Sequence, residues 1–182
     1  MFYGSEHSDL RPTNPEYAFV GSLGKLYQLM LGCWRRETCA PRMQEKWSED
    51  NPTCGQCSIT AFLVQDIFGG EVYGVPLGDG NYHCFNKVGD AVFDLTSEQF
   101  DHPLAYTMDF QQSRETHFAK AEKKARYETL KEALKRKEVF EIRLKEKMPP
   151  RDICLIKDKK HPLSLAANVL EKMMLISSNC YC

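Results

Sequence analysis

From the sequence we expect no segment that directs the protein into or across a membrane. Its first residues, Met-Phe-Tyr-Gly-Ser-Glu-His, provide neither a basic start nor an apolar stretch, so no secretory signal is visible. No apolar run approaches ~20 residues, the length that a membrane-spanning helix needs. From these absences we expect a cytoplasmic protein with no membrane partner.

Repeats, low-complexity tracts and basic patches interleaved with aromatic residues are also missing. The net charge of −1 is unevenly spread: residues 1–114 carry 8 Lys/Arg against 15 Asp/Glu, and residues 115–147 carry 11 against 7. Charges of both signs alternate in the second stretch, which is typical of a solvent-exposed helix face. We therefore do not expect a nucleic-acid partner. The oligomeric state is left open.

Length and composition favour one main domain. A chain of 182 residues with 42% hydrophobic content can bury a single sizeable core. We predict an α+β core domain over residues 1–137, with an irregular N-terminal lead-in, in which a helix packs on a small antiparallel sheet. Residues 138–182 are predicted to form a helical C-terminal extension that packs on this core.

Hydrophobic periodicity and turn residues place the individual elements. Helices are predicted over residues 16–32, 57–68, 116–137 and 162–176. Strands are predicted over residues 71–75, 82–85, 91–95, 140–144 and 152–156. A long loop over residues 32–52 remains between the first two helices, and loops of this length inside compact domains tend to be functional.

A cysteine, a histidine and an aspartate follow one another in the order that a thiol nucleophile and its base require. Cys57 opens an apolar helix, where the partial positive charge of the helix N-terminus favours thiolate. His83 lies in an apolar strand, and Asp94 is a carboxylate between apolar neighbours that needs a buried partner. The remaining histidines occupy polar, turn-like or charged settings: His7, His102, His117 and His161. The predicted catalytic residues are Cys57, His83 and Asp94.

Residues near the nucleophile in sequence could bind the oxyanion and the substrate. Asn51, six residues before Cys57, and its neighbour Gln56 could each donate to an oxyanion beside the backbone N–H of Cys57. Trp47 or Trp34 could form a wall of the substrate cleft, although a large aromatic residue in a loop more often anchors packing. Asn51 is favoured because papain-like peptidases have a glutamine at that distance before the nucleophile.

Two resemblances extend this interpretation. The segment Cys54-Gly-Gln-Cys57 is similar to the papain signature, and the short spacing to His83 looks more like the transglutaminase-like and NlpC-type branches of that superfamily. An ordered set over roughly residues 23–135 resembles the YunG-like family of small bacterial proteins. The set comprises Trp34, Thr38, Trp47, Asn51-Pro52, Gly55-Gln56-Cys57, Thr60-Ala61, Val64-Gln65-Asp66, Gly69-Gly70, His83, Asn86, Asp94-Leu-Thr96, Gln99-Phe100, Arg126-Tyr127 and Leu130. The resemblance implies a papain-like core that carries Cys57, His83 and Asp94, without indicating a substrate.

The function expected from these residues is a cysteine-dependent hydrolase or acyltransferase. It would act on an amide or ester bond, a peptide included, and would need no cofactor or catalytic metal.

Alternatives stay open for the same cysteines. A zinc-stabilised domain could use Cys54, Cys57, His83 and Cys84, although a second Cys-x-x-Cys or a His-x₃-His is missing. Cys54 and Cys57 could form a redox pair, or a disulfide that switches the site off. The domain could also be a non-catalytic binding module on a papain-like fold. Most of the eight cysteines should be free thiols in a reducing compartment, with Cys33, Cys84 and Cys154 buried.

Overall fold

The computed structural model describes residues 1–78 and 80–138. The predicted C-terminal extension, with its strands over 140–144 and 152–156 and its helix over 162–176, lies outside these residues, as does Cys154. The α-helices are α1 (Leu23–Leu31), α2 (Cys57–Phe68), α3 (Arg114–Phe118) and α4 (Ala121–Lys135). The strands are β1 (Glu71–Pro76), β2 (Tyr82–Val88) and β3 (Ala91–Phe93). Short 3₁₀ turns cover Ser5–His7, Pro15–Val20, Pro41–Met43 and Ser97–Gln99.

The three strands form one antiparallel sheet in the order β1-β2-β3. Gly74 pairs with Cys84 between β1 and β2, and Asn86 pairs with Phe93 between β2 and β3. A small antiparallel sheet with several helices confirms the predicted α+β class.

Helix α2 is the centre of the core. It packs on β1, β2 and α4, and eight of its twelve residues are buried. Gly69, with a φ of 76°, ends the helix where the sequence predicts. Because α2 is largely apolar, most of its surface packs against neighbouring elements, which removes a large apolar area from water. Cys57, Ser58, Gln65 and Asp66 stay partly exposed.

The predicted helix over residues 16–32 is wrong in its first half. Residues Pro15–Val20 form a 3₁₀ turn, and α1 begins only at Leu23. Gly21 breaks the two apart because its φ of 74° lies outside the helical range. The Ser22 side chain then accepts the backbone N–H of Lys25, which caps the N-terminus of α1.

The predicted helix over residues 116–137 is also divided. Lys120 is extended, with φ −85° and ψ 110°, and separates α3 from α4. The break lets Phe118 of α3 pack against Phe62 at a ring distance of 5.3 Å, while Tyr127 of α4 packs in the core. Burial on both sides outweighs the hydrogen bonds that a continuous helix would add.

Two further predictions can be compared with the structure: the burial of single cysteines and the lack of a membrane-spanning helix. Cys33 and Cys84 are free and buried, as predicted. None of the helices that the structure describes is both long and apolar enough to cross a bilayer.

Candidate active site

The Cys57 thiol lies at the start of the central helix. Cys57 is the first residue of α2, and Gln56 before it makes no side-chain capping hydrogen bond. The N–H groups of the first helical turn have no partner inside the helix, and they carry the positive end of its dipole. Cys57 is partly exposed, so a reactant can reach a thiol that this N-terminus polarises.

His83 joins the thiol to a carboxylate. Its side chain is fully buried in β2, and its Nε2 lies 2.5 Å from Oδ2 of Asp94. Since an ionised carboxylate can only accept, Nε2 carries the proton in this bond, which leaves Nδ1 for the Cys57 side chain. The Phe100 ring meets the imidazole edge-on at 4.7 Å and helps to fix its orientation.

Asp94 lies one residue beyond β3, and not within the strand as the sequence predicts. Its Oδ1 accepts both the backbone N–H and the hydroxyl of Thr96, each at 2.9 Å. This turn around the side chain ends the strand. Its Oδ2 also accepts the Tyr106 hydroxyl at 2.9 Å. The carboxylate therefore has a fixed position and four donors in a buried setting.

The N-terminal segment around Tyr3 packs against the turn after Asp94 and stabilises it. The Asp94 N–H donates to the Tyr3 carbonyl at 3.0 Å, and the Tyr3 N–H donates to Ser97 Oγ at 2.8 Å. The Tyr3 ring stacks on Tyr106 with centroids 4.0 Å apart. The position of the carboxylate thus depends on residues distant in sequence.

The electrostatics favour a thiolate–imidazolium pair. The pKa of Cys57 is well below its ordinary value because the Cys84 thiol donates a hydrogen bond to it and because His83 carries positive charge, which together outweigh burial. Burial alone would lower the pKa of His83, but the negative charges of Cys57 and Asp94 raise it to about 10. The proton of the pair therefore resides on the imidazole near neutral pH.

A cavity of about 460 Å³ opens over the thiol. Cys57, His83 and Cys84 lie at its base, and Gln99 and Phe100 form one side. A second group of lining residues comes from α3, α4 and the turn between them: His117, Lys120, Glu122, Lys123 and Arg126. The cavity gives a substrate access to the same thiol that His83 contacts.

Three residues contact the predicted triad without having a predicted role in its catalysis. Cys84 touches the nucleophile, Tyr106 holds the carboxylate, and Gln99 lies with its Nε2 3.5 Å from Nδ1 of His83. Gln99 belongs to the ordered set that carries the family resemblance, which is a usable signal. Cys84 follows His83 directly, but strand alternation suggests that it points away, and Tyr106 stands in a segment without periodicity.

Comparison with known proteins identifies the family. A family model described as "YunG protein" matches residues 22–138, which is more than half of the chain. The chain belongs to the YunG family. A curated relative in Bacillus subtilis (strain 168), "Uncharacterized protein YunG", is 36% identical over 101 residues, which is 56% of this chain and 85% of the relative. No solved structure matches.

The YunG region contains the other predicted site residues, but the structure does not bring them to the thiol. Asn51 accepts the Thr53 hydroxyl through Oδ1, and Trp47 donates to the Pro52 carbonyl. The Gln56 side chain is fully buried and donates to the Arg35 carbonyl at 2.9 Å. Asn51, Gln56 and Trp47 are absent from the lining of the cavity, so their predicted roles have no support in this geometry. Trp34 is a packing anchor, fully buried, with its indole N–H on Thr60.

The cysteines of the alternative zinc site are divided between two clusters. Cys54 is hydrogen-bonded to Cys39, whereas Cys57 is hydrogen-bonded to Cys84. Burial raises the pKa of Cys39 to about 11 and also raises the pKa of Cys54, so both remain protonated thiols. Across residues 1–78 and 80–138, no three His, Cys, Asp or Glu side chains are arranged to hold a metal ion.

Proposed function

We propose that this YunG family member is a cysteine-dependent acyl-transfer enzyme on a papain-like core. Cys57 is the nucleophile, His83 is its base and Asp94 orients the base. The substrate is an amide or ester, and the acyl group passes to water or to an amine. One observation carries the proposal: the Cys57–His83–Asp94 hydrogen-bonded chain lies beneath an open cavity, with the thiol at a helix N-terminus.

The positions of the three groups suit this chemistry. The Cys57 thiolate attacks the substrate carbonyl carbon, and the backbone N–H of Cys57 supports the oxygen as it becomes negative. When the tetrahedral intermediate collapses, the imidazolium of His83 gives its proton to the departing amine or alcohol, and a thioester remains on Cys57. The imidazole then takes a proton from water or an amine, which attacks the thioester and releases Cys57.

The order of proton transfers follows from the burial of the base. His83 has no solvent-exposed surface, so its proton must be exchanged with Cys57 or with a reactant held in the cavity. Asp94 makes the imidazolium the stable state of the free enzyme and keeps Nδ1 directed to the thiol. The enzyme is therefore activated before a substrate binds.

The first test is the alkylation rate of each cysteine against pH, mapped by mass spectrometry. An ordinary thiol with a pKa of 9.0 is the reference, and we expect Cys57 to react fast well below that pH. His83→Ala should lose this fast phase, whereas the exposed His102→Ala should retain it. A rate for Cys57 no faster than that of ordinary exposed thiols would refute the proposal and would favour a binding module.

Reaction is tested with a panel of thioester, ester and amide substrates. Wild type should release the leaving amine, alcohol or thiol in a burst while the acyl group stays on Cys57 as a covalent adduct, and Cys57→Ala should form no adduct while keeping its circular dichroism spectrum. Adding an amine separates transfer from hydrolysis, because only transfer yields a new amide. Full activity in Cys57→Ala would contradict the assignment of the nucleophile.

A further inference from the structure

The cavity-lining residues on α3, α4 and the turn between them form a wall that is rich in positive charge. Lys120, Lys123 and Arg126 line it together with His117, and Glu122 is the single acidic side chain among its described lining residues. This wall comes from the basic stretch whose alternating charges predict an ordinary solvent-exposed face. Part of that face is in fact turned toward the nucleophile.

One of these charges is already neutralised. Arg126 is buried, binds Glu122 at 3.0 Å through Nε and donates from Nη1 to the Thr38 carbonyl at 3.0 Å. This ion pair also satisfies the acidic residue of the wall. Arg126 therefore has a structural role, and the positive charge available to a ligand comes from the two lysines.

The two lysines have no acidic partner within the described part of the chain. Lys123 is partly buried, and its ammonium approaches Nδ1 of His117 at 3.4 Å without a carboxylate at ion-pairing distance in residues 1–78 and 80–138. Burial lowers the pKa of Lys123, and the charge of Lys120 lowers it further, while Glu122 offsets part of this effect. A desolvated cation among other cations is costly unless an anion is bound beside it.

His117 belongs to the same wall and is buried beside Lys123. Since the Lys123 ammonium can only donate, Nδ1 of His117 accepts and its Nε2 carries the proton. This Nε2 is buried and has no hydrogen-bond partner. Burial together with the charges of Lys123 and Arg126 lowers the pKa of His117 to about 3, which keeps the ring neutral. An unsatisfied polar group of this kind is uncommon in a folded protein.

We propose that this wall is an anion subsite, and that the acyl substrate carries a negatively charged oxygen group that Lys123 and Lys120 bind. The inference rests on the proposed function, because it names the substrate class of the same cavity. A carboxylate and a phosphate share this chemistry. Either group would neutralise the charge of the two lysines. It would thereby hold the substrate with the acyl carbon, elsewhere in the same molecule, over the Cys57 thiolate.

The test uses two reagents of similar size, iodoacetate and iodoacetamide, which differ in charge. Both alkylate Cys57, and the ratio of their rate constants is compared with the ratio for N-acetylcysteine in the same buffer. We expect the iodoacetate-to-iodoacetamide ratio to be higher at Cys57. Lys123→Gln should lower the ratio by about three- to fivefold, and Lys120→Gln should change it in the same direction. Lys124→Gln, an exposed charge outside the cavity, is the matched control.

Protection experiments distinguish the two sources of the anion. Succinate and inorganic phosphate are each added before iodoacetamide, against sodium chloride at the same ionic strength. Protection of Cys57 by succinate alone assigns a carboxylate, and protection by phosphate alone assigns a phosphate. Both effects should weaken in Lys123→Gln.

The outcomes separate this inference from the proposed function. If Cys57 reacts fast with both reagents but with the ratio of N-acetylcysteine, the anion subsite is refuted and the activated thiol stands. An equal loss of the ratio in Lys124→Gln would also overturn the subsite, since it would show a general effect of surface charge. A Cys57 that reacts slowly with both reagents would overturn both ideas.

Discussion

Replacement of Asp94 by Asn tests how the carboxylate governs the thiol. Asn keeps the shape of Asp94 but presents an amide NH₂ where one carboxylate oxygen now accepts from His83. The imidazole must then accept at Nε2 and carry its proton at Nδ1, so it can no longer take the proton of Cys57. The expected result is an ordinary thiol in a folded protein, comparable to the tautomer effect described for serine peptidases.

The size of this effect follows from the thiol equilibrium. With an ordinary pKa of 9.0, only about one Cys57 side chain in 1,000 would be thiolate at pH 6, whereas the lowered pKa of the wild-type thiol leaves a much larger fraction ionised at that pH. A thiolate of higher pKa is intrinsically more nucleophilic, so the alkylation rate at pH 6 should fall between roughly 30-fold and 1,000-fold. Above pH 9.5 the thiol of Asp94→Asn is mostly ionised, so this variant should react at least as fast as wild type.

The assay is iodoacetamide labelling of Cys57 from pH 5 to pH 10, with Asp90→Asn as the control. Asp90 is exposed in the turn between β2 and β3, so its replacement should leave the profile unchanged. Urea unfolding checks the fold, and we expect Asp94→Asn to lose about 1–3 kcal/mol. Labelling of Asp94→Asn at pH 6 as fast as in wild type would refute the role of the carboxylate.

Three further predictions concern neighbouring contacts. Cys84→Ala should raise the pKa of Cys57 and shift its labelling profile to higher pH, because the hydrogen bond to the thiolate is lost. Cys84→Ser should restore the wild-type profile because a hydroxyl also donates. Identical profiles in wild type and Cys84→Ala would contradict the hydrogen bond. Gly70→Ala should lower the free energy of unfolding by about 2–3 kcal/mol, because Gly70 has a φ of 76° and the new Cβ would lie 2.2 Å from the backbone carbonyl oxygen of Lys87. Urea unfolding measures this loss, and wild-type stability would contradict the close approach. Trp34→Phe should cost about 1–3 kcal/mol, because the Thr60 hydroxyl loses its buried donor; no loss would show that another donor replaces it.

Local signals in the sequence are sufficient to predict the central helix and the histidine that lies beside Asp94. The apolar run after Cys57 predicts a buried helix, and Gly69 marks its end, because glycine tolerates the positive φ that stops the helix there. His83 is the histidine with apolar neighbours on a strand, and the structure places it beside Asp94. The roles of these residues in catalysis remain a prediction.

The breaks within helices could not be predicted from apolar spacing. Side-chain periodicity continues through Gly21 and Lys120, and the backbone changes direction there because tertiary packing is better satisfied by two pieces. The direction of the side chains proposed for the oxyanion could not be predicted for a related reason. Proximity to Cys57 in sequence says little about direction, and the side chain of Gln56 turns into the protein and binds Arg35.

The link between Tyr3 and the turn after Asp94 has a consequence for the order of folding. The Tyr3 N–H and Ser97 Oγ are 94 positions apart in sequence, so closing this contact requires a long loop, which is slow relative to forming the β2–β3 hairpin. We expect the hairpin and α2 to assemble while Asp94 is still unanchored. During that interval Cys57 is an ordinary thiol, and its reactivity therefore reports the completion of the native state.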